Sequence, residues 1–297
     1  MIDTIRQLKK DRNAIILAHN YEPSEIQEVA DFCGDSLELS LKASRTDADI
    51  IVFCGVHFMA ETASIVCPDK TVLLPRADAG CAMADMVTPE TLAAELDRLG
   101  KMPVVTYVNS TAAVKAMSTI CCTSANVVKV VNSLDADEML LAPDRNLAAY
   151  AAGLTGKTIH PWPGYCPYHD TLRISDVKEA RAIDPDAVLL VHPECRPEVV
   201  AMADEVMSTS GMLRHVQSSD CRSFLVATEN GILHAMQKIC PDKTFYPVSP
   251  DMICPDMKII SLQDVAACLE TMQPEVNVSP EIRERALQAV ERMLALA

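Results

Sequence analysis

Lys70 to Cys81 reads KTVLLPRADAGC: a short apolar run, a turn carrying Pro75, then a cysteine. Two further versions follow, KTIHPWPGYC from Lys157 to Cys166 and KTFYPVSPDMIC from Lys243 to Cys254. Pro68-Asp69-Lys70-Thr71 recurs as Pro241-Asp242-Lys243-Thr244, each time behind a cysteine, Cys67 or Cys240. The lysines and the terminal cysteines both recur with a period of about 86 residues, which reads as a threefold internal repeat. Each unit then brings one thiol to a shared centre.

Other signals keep the same phase. Ala14–Ala18, Val104–Val108 and Ala187–Val191 are short apolar runs with β-branched members, as are Ile50–Cys54, Met139–Ala142 and Phe224–Ala227. Such runs suit strands buried on both faces of a parallel sheet. Helix-period segments lie between them (36–45, 124–132, 229–239) and after each key cysteine (88–99, 174–183, 261–272). Alternating strands and helices predict an α/β fold of three similar domains, each a short parallel sheet flanked by helices. The expected boundaries are 1–85 plus 258–297, 86–171 and 172–257. The last segment, with a closing helix capped by Ser279-Pro280, is expected to return to the first unit.

The 297 residues are 49% hydrophobic, ample for buried cores, and carry a net charge of −15. That charge argues against a nucleic-acid partner, since phosphate binding needs a positive field. No apolar run approaches the ~20 residues of a membrane span, and MIDTIRQLKK lacks a signal-peptide core. The expectation is a soluble, cytoplasmic protein. There, twelve cysteines are better read as buried thiols or metal ligands than as disulfides.

Ligands of open α/β sheets gather at the carboxyl ends of the strands. The residues after the three first strands are His19, Asn109 and His192, all able to hydrogen-bond. A lone histidine means little, but three polar residues in phase point to a site. Ser36, Ser124 and Thr209 recur at helix starts. They are either N-caps or contributors to anion sites, where helix N–H groups meet a carboxylate or phosphate. Glu194, Tyr21 and Tyr107, close to strand ends, are candidates for proton transfer; Glu194 reads equally as a solvated loop carboxylate and Tyr21 as a packing aromatic.

Nine cysteines (33, 54, 67, 121, 122, 195, 221, 240 and 268) read as small buried side chains. Cys81, Cys166 and Cys254 end the repeats in Pro- or Gly-bearing loops. Three thiolates can hold zinc or an iron–sulfur cluster, and in a cluster three ligands leave one iron open as a Lewis acid. Cys166-x-x-His169 is half of a zinc pattern without a second pair. No Walker loop, GxGxxG or C-x₃-C-x₂-C run appears.

Taken together, LAHNY (17–21), GDS (34–36), YVNST (107–111), CTSAN (122–126), PDRNL (143–147), CPYH (166–169), HPEC (192–195) and STSG (208–211) make the chain resemble the quinolinate synthase family over nearly its whole length. The resemblance implies three α/β domains around a pseudo-threefold axis, with the active site at the centre. It implies condensation of iminoaspartate with dihydroxyacetone phosphate to quinolinate, losing phosphate and two waters, on the route to NAD. The [4Fe–4S] cluster would be held by Cys81, Cys166 and Cys254. Substrate would meet His19, Ser36, Tyr107, Val108, Asn109, Ser124, His169, His192, Pro193, Glu194 and Thr209, with Tyr21, Tyr107 and Glu194 handling protons. A functional link to L-aspartate oxidase or aspartate dehydrogenase would supply iminoaspartate. One departure stands out: where some members carry a C-x₂-C-x₂-C run, this chain has Val248 and Asp251 ahead of Cys254, so a disulfide switch there is absent.

Two other readings fit the residues alone. One is a different cluster-dependent hydro-lyase acting on another polyanionic acid. The other is a non-catalytic protein whose cysteines hold zinc or a cluster for structure only.

Overall fold

A computed structural model describes all 297 residues. Twelve strands form three separate four-stranded parallel sheets. The first contains β1 (Ala14–His19), β2 (Phe32–Gly34), β3 (Ile50–Cys54) and β4 (Thr71–Leu73). The second contains β5 (Val104–Tyr107), β6 (Ile120–Cys122), β7 (Glu138–Ala142) and β8 (Thr158–Pro161). The third contains β9 (Val188–Val191), β10 (Glu205–Val206), β11 (Ser223–Ala227) and β12 (Thr244–Pro247). All three share one order, second-first-third-fourth. Pairing keeps step as well: Ile16 faces Val52, Val105 faces Leu141 and Leu190 faces Val226. The expected α/β architecture of three similar units is therefore present.

The strand period of two divides each sheet between two cores. Leu17, Ile51 and Phe53 point into a central cluster of 49 buried residues, while Ile16, Ala18 and Val52 point into a separate cluster of 14. Val105 and Leu141 join the same central cluster, as do Leu190 and Val226. Their neighbours Val104 and Leu140, or Leu189 and Leu225, pack outward into smaller clusters. One face of every sheet thus lines a common interior, and the other is covered by local helices.

The repeated lysines close helix ends. Lys70 Nζ donates to Ala48 O at 2.5 Å, Lys157 Nζ to Leu134 O and to Ala136 O (2.8 Å), and Lys243 Nζ to Val216 O (2.6 Å) and Ser219 O (2.5 Å). These carbonyls belong to the last turns, or the chain just past them, of the helices at 36–45, 127–133 and 209–218. They have no partner within their own helix, and a cation there also complements the helix dipole.

Near the chain end, Pro274–Val276 runs antiparallel beside β4, with Val276 N donating to Val72 O at 2.8 Å. Helix 262–271 packs on helix 2–11 and β3. Helix 280–294 packs on β6 and on the helices at 112–115 and 57–66. No helix is long and apolar enough to cross a membrane.

Candidate active site

Strand order reverses direction beside the first strand of each sheet, which opens a crevice at its carboxyl end. The three crevices meet in one cavity. Its walls include His19, Tyr21 and Ser36 from the first unit; Tyr107, Asn109 and Ser124 from the second; and His192, Glu194 and Thr209 from the third. Cys81, Cys166, His169 and Cys254 line it as well. Val108 and Pro193 do not line it; Val108 is buried and its N–H donates to Cys122 O at 3.0 Å.

The loops after β1 and β9 are built alike. Tyr21 N donates to His19 Nδ1 at 3.2 Å, and Glu194 N donates to His192 Nδ1 at 3.4 Å. An Nδ1 that accepts must be unprotonated, so the proton of each neutral ring sits on Nε2. Burial, helped by mutual repulsion among cations, pushes both imidazoles down to about 3. Each therefore offers a neutral N–H donor, suited to a carboxylate or phosphate oxygen. His192 Nε2 meets Ser124 Oγ at 3.2 Å.

Glu194 is buried and its two oxygens are engaged separately. Tyr107 Oη donates to Oε1 at 2.6 Å, and His169 Nδ1 lies 2.8 Å from Oε2. Burial pushes this carboxyl up, but the His169 and His192 imidazoles and the hydrogen bonds from His169 and Tyr107 outweigh it and hold it below its usual range. Burial and the Glu194 charge push both Tyr21 and Tyr107 well above the ordinary phenol value, so both stay protonated. On its far side His169 Nε2 meets Thr228 Oγ1 at 2.8 Å, and Thr228 Oγ1 meets Tyr21 Oη at 2.5 Å. In the tautomer with the His169 proton on Nδ1, every donor has one acceptor: Tyr21 to Thr228, Thr228 to His169, His169 to Glu194. A one-way chain of hydrogen bonds thus joins two candidate proton-transfer groups. The reading of Glu194 as a solvated carboxylate does not hold.

The helix starts differ from simple serine caps. Asp35, not Ser36, caps the first helix: its Oδ1 accepts from Leu37 N and Glu38 N at 3.0 Å. In the third unit Ser208 does so, accepting from Gly211 N at 3.2 Å. Ser124 stands three residues ahead of its helix. Ser36, Ser124 and Thr209 are therefore not occupied by capping.

Sequence reasoning missed Thr228, Glu229 and Asp144. They follow the third strands β11 and β7, whereas the scan for polar strand ends covered only the first strands. Glu229 Oε1 accepts from Cys254 N at 3.2 Å and Oε1 pairs with Lys258 Nζ at 2.9 Å; Lys258 also donates to Tyr21 O. Asp144 caps the helix at 145–154 instead, its Oδ1 accepting from Asn146 N at 2.7 Å and Leu147 N at 2.8 Å. Asn146, again unforeseen, ties Asp170 Oδ1 (2.9 Å) to Glu194 O (3.0 Å). The reading of nine buried cysteines fails for Cys221, which is exposed, and in part for Cys33, which is half-buried.

Could the three loop thiols hold a metal group? Burial is the main cause that pushes Cys81 up to about 12, Cys254 up to about 11 and Cys166 well above the usual thiol value. As free thiols they stay protonated, and a metal would take the proton's place. A single zinc with about 2.3 Å bonds needs sulfurs roughly 3.8 Å apart. The three sulfurs are not gathered within 4.8 Å of one another. The donor set is soft, half-buried and too widely spaced for one zinc ion, and all-thiolate ligation is what iron–sulfur clusters take.

Comparison with known proteins agrees with this geometry. Residues 3–295 match the family model described as "Quinolinate synthetase A protein". The chain is 56% identical over 292 residues to a quinolinate synthase of Geobacter sp. (strain M21), covering 98% of this chain and 96% of that one. It is 51% identical over 296 residues to "Quinolinate synthase 1" of Methanosarcina acetivorans (100% and 97% covered), and 52% identical over 297 residues to the quinolinate synthase of Desulforudis audaxviator (100% and 98%). By fold, pocket and full-length similarity, the chain belongs to the quinolinate synthase family of enzymes.

Proposed function

We propose that this cavity condenses iminoaspartate with dihydroxyacetone phosphate to give quinolinate, phosphate and two waters, and that Cys81, Cys166 and Cys254 hold a [4Fe–4S] cluster there. The observation that carries the reading is that the last cysteine of every repeat opens into the one pocket that also contains Glu194 and the two neutral histidines. Bound there, the cluster supplies an iron with a free coordination position, a Lewis acid for loss of water.

The chain's own residues do the rest. Nε2–H of His19 and of His192, the hydroxyls of Ser36, Ser124 and Thr209, and Asn109 orient the carboxylates and the phosphate. Val108 and Pro193 take part only by setting the places of Asn109 and Glu194, their neighbours in the chain. Glu194, ionised and held by Tyr107, accepts a proton from the carbon acid. Once its hydroxyls turn and His169 takes the tautomer with the proton on Nε2, the run His169–Thr228–Tyr21 passes the proton gained by Glu194 back to Tyr21, which replaces the proton Tyr21 gives where a hydroxyl leaves. The three units take the limits 1–85 plus 258–297, 86–171 and 172–257; their common strand order supports the division of the sheets, and helix 262–271 packs on the first unit, whereas helix 280–294 also packs on the second. The setting is the cytoplasm, with L-aspartate oxidase or aspartate dehydrogenase as the source of iminoaspartate.

The test is anaerobic purification with iron and sulfide analysis, followed by a quinolinate assay on the two substrates. The intact protein is expected to hold a cluster and form quinolinate, and Cys81→Ser, Cys166→Ser and Cys254→Ser each to lose both. A Cys81→Ser protein with a full cluster and full turnover would refute the ligand set.

A further inference from the structure

Cys166 and His169, half of a zinc pattern in the sequence, acquire a third partner in space. Among all histidine, cysteine and acidic side chains, Cys166, His169 and Glu194 are the one group of three whose ligand atoms all lie within 4.8 Å of one another. His169 Nδ1 lies 3.2 Å from Cys166 Sγ and 2.8 Å from Glu194 Oε2. A tetrahedral zinc with ordinary bond lengths would set these edges at about 3.5 and 3.3 Å. Opening by a few tenths of an ångström admits the ion. Thiolate, imidazole and carboxylate are the three donor types zinc takes in proteins.

The surroundings complete the site. His169 Nε2 already has Thr228 Oγ1 as its partner, the outer contact that fixes a ligating imidazole. Glu194 Oε1 is held by Tyr107 Oη, which leaves Oε2 for the metal. His169 and Glu194 are almost fully buried, yet the fourth position faces the cavity.

We propose that Cys166 Sγ, His169 Nδ1 and Glu194 Oε2 form a mononuclear site for zinc in the cluster-free enzyme. Zinc there occupies Cys166 and Glu194 together, so it bars cluster assembly and removes the base. It also moves the His169 proton to Nε2, which reverses the hydrogen bond to Thr228. The competition with the cluster rests on the role of Cys166 proposed above; the site itself does not.

Full-length protein prepared without iron is titrated anaerobically with Zn²⁺ against a chromophoric chelator, and with Co²⁺ as an optical probe. The expected result is one equivalent bound, with a thiolate-to-cobalt charge-transfer band. His169→Gln, Glu194→Gln and Cys166→Ser should each weaken binding at least about 100-fold, beyond the usual cost of losing an outer-shell contact. Cys81→Ser and Cys254→Ser should bind as the parent does, and zinc-loaded parent should take up no iron until stripped. If Cys81→Ser weakens zinc as much as His169→Gln does, the metal sits among the three thiols and the proposal fails. It fails as well if His169→Gln and Glu194→Gln bind unchanged, or if no stoichiometric site appears. Circular dichroism identifies a variant that has not folded, and the Cys81→Ser and Cys254→Ser arms then decide alone. Should Cys81→Ser instead retain a full cluster, the ligand set falls while the zinc result stands.

Discussion

Thr228 has a hydroxyl that can accept from Tyr21 while donating to His169, which no apolar isostere can do. Thr228→Val keeps the shape and removes the relay. Quinolinate formation by this variant is expected to fall roughly 10²-fold in kcat, the worth of a positioned proton transfer, with KM near the parent's. Thr228→Ser should restore most of it, and equal rates for Val and Ser would rule the relay out. This residue was not legible in the sequence, for a physical reason. The positions just after the third strands are Gly55, Pro143 and Thr228, so residue type diverges where the backbone repeats. By contrast His19 and His192 were legible because one loop conformation, with Nδ1 accepting the N–H two residues on, selects the same side chain twice.

At the level of elements, the lysine of each repeat showed the period, but its task emerged only in three dimensions. It reaches back to the helix that precedes its unit's third strand, across more than 20 residues of chain. Lys243→Met deletes two charge-assisted hydrogen bonds at the end of helix 209–218 and should destabilise the protein by about 2 kcal/mol. Urea unfolding monitored by circular dichroism measures this, and an unchanged midpoint would mean the carbonyls are satisfied by water. Gly231 is constrained differently: a Cβ there would lie 2.5 Å from Tyr21 O and 2.7 Å from Lys258 Nζ. Gly231→Ala must therefore push the Tyr21 loop, and activity should fall more than stability does. The second strands β2, β6 and β10 escaped sequence reading because two or three residues carry no period. Their sheet positions come from pairing with the first strands instead.

On the scale of the whole molecule, the central cluster means that no unit owns its core. Residues 172–257 expressed alone would expose the inner face of the third sheet. They are expected to give no cooperative thermal transition, and a sharp one would contradict the shared interior. A polar latch joins the second and third units nearby: Arg145 and Arg196 reach Asp170 at 3.1 and 2.8 Å. Burial pushes the Asp170 carboxyl up, but Asn146 and the two guanidinium groups outweigh this and hold it low. Its contribution to stability is therefore complete above the ordinary aspartate value of about 3.9 and vanishes as pH falls through the lower folded value. Asp170→Asn should lower the midpoint at neutral pH and narrow its gap to the parent near pH 3; a gap independent of pH would show that the carboxylate's charge is not what matters. The repeats have also diverged around the cavity. Val56, Phe58 and Met59 give the first unit's wall a greasy surface, whereas the third unit presents Glu194 and Glu229. A ring of three identical subunits would offer a guest three indistinguishable ways to sit. Fused copies that differ admit one, so the chirality of docking is written into divergence between duplicates.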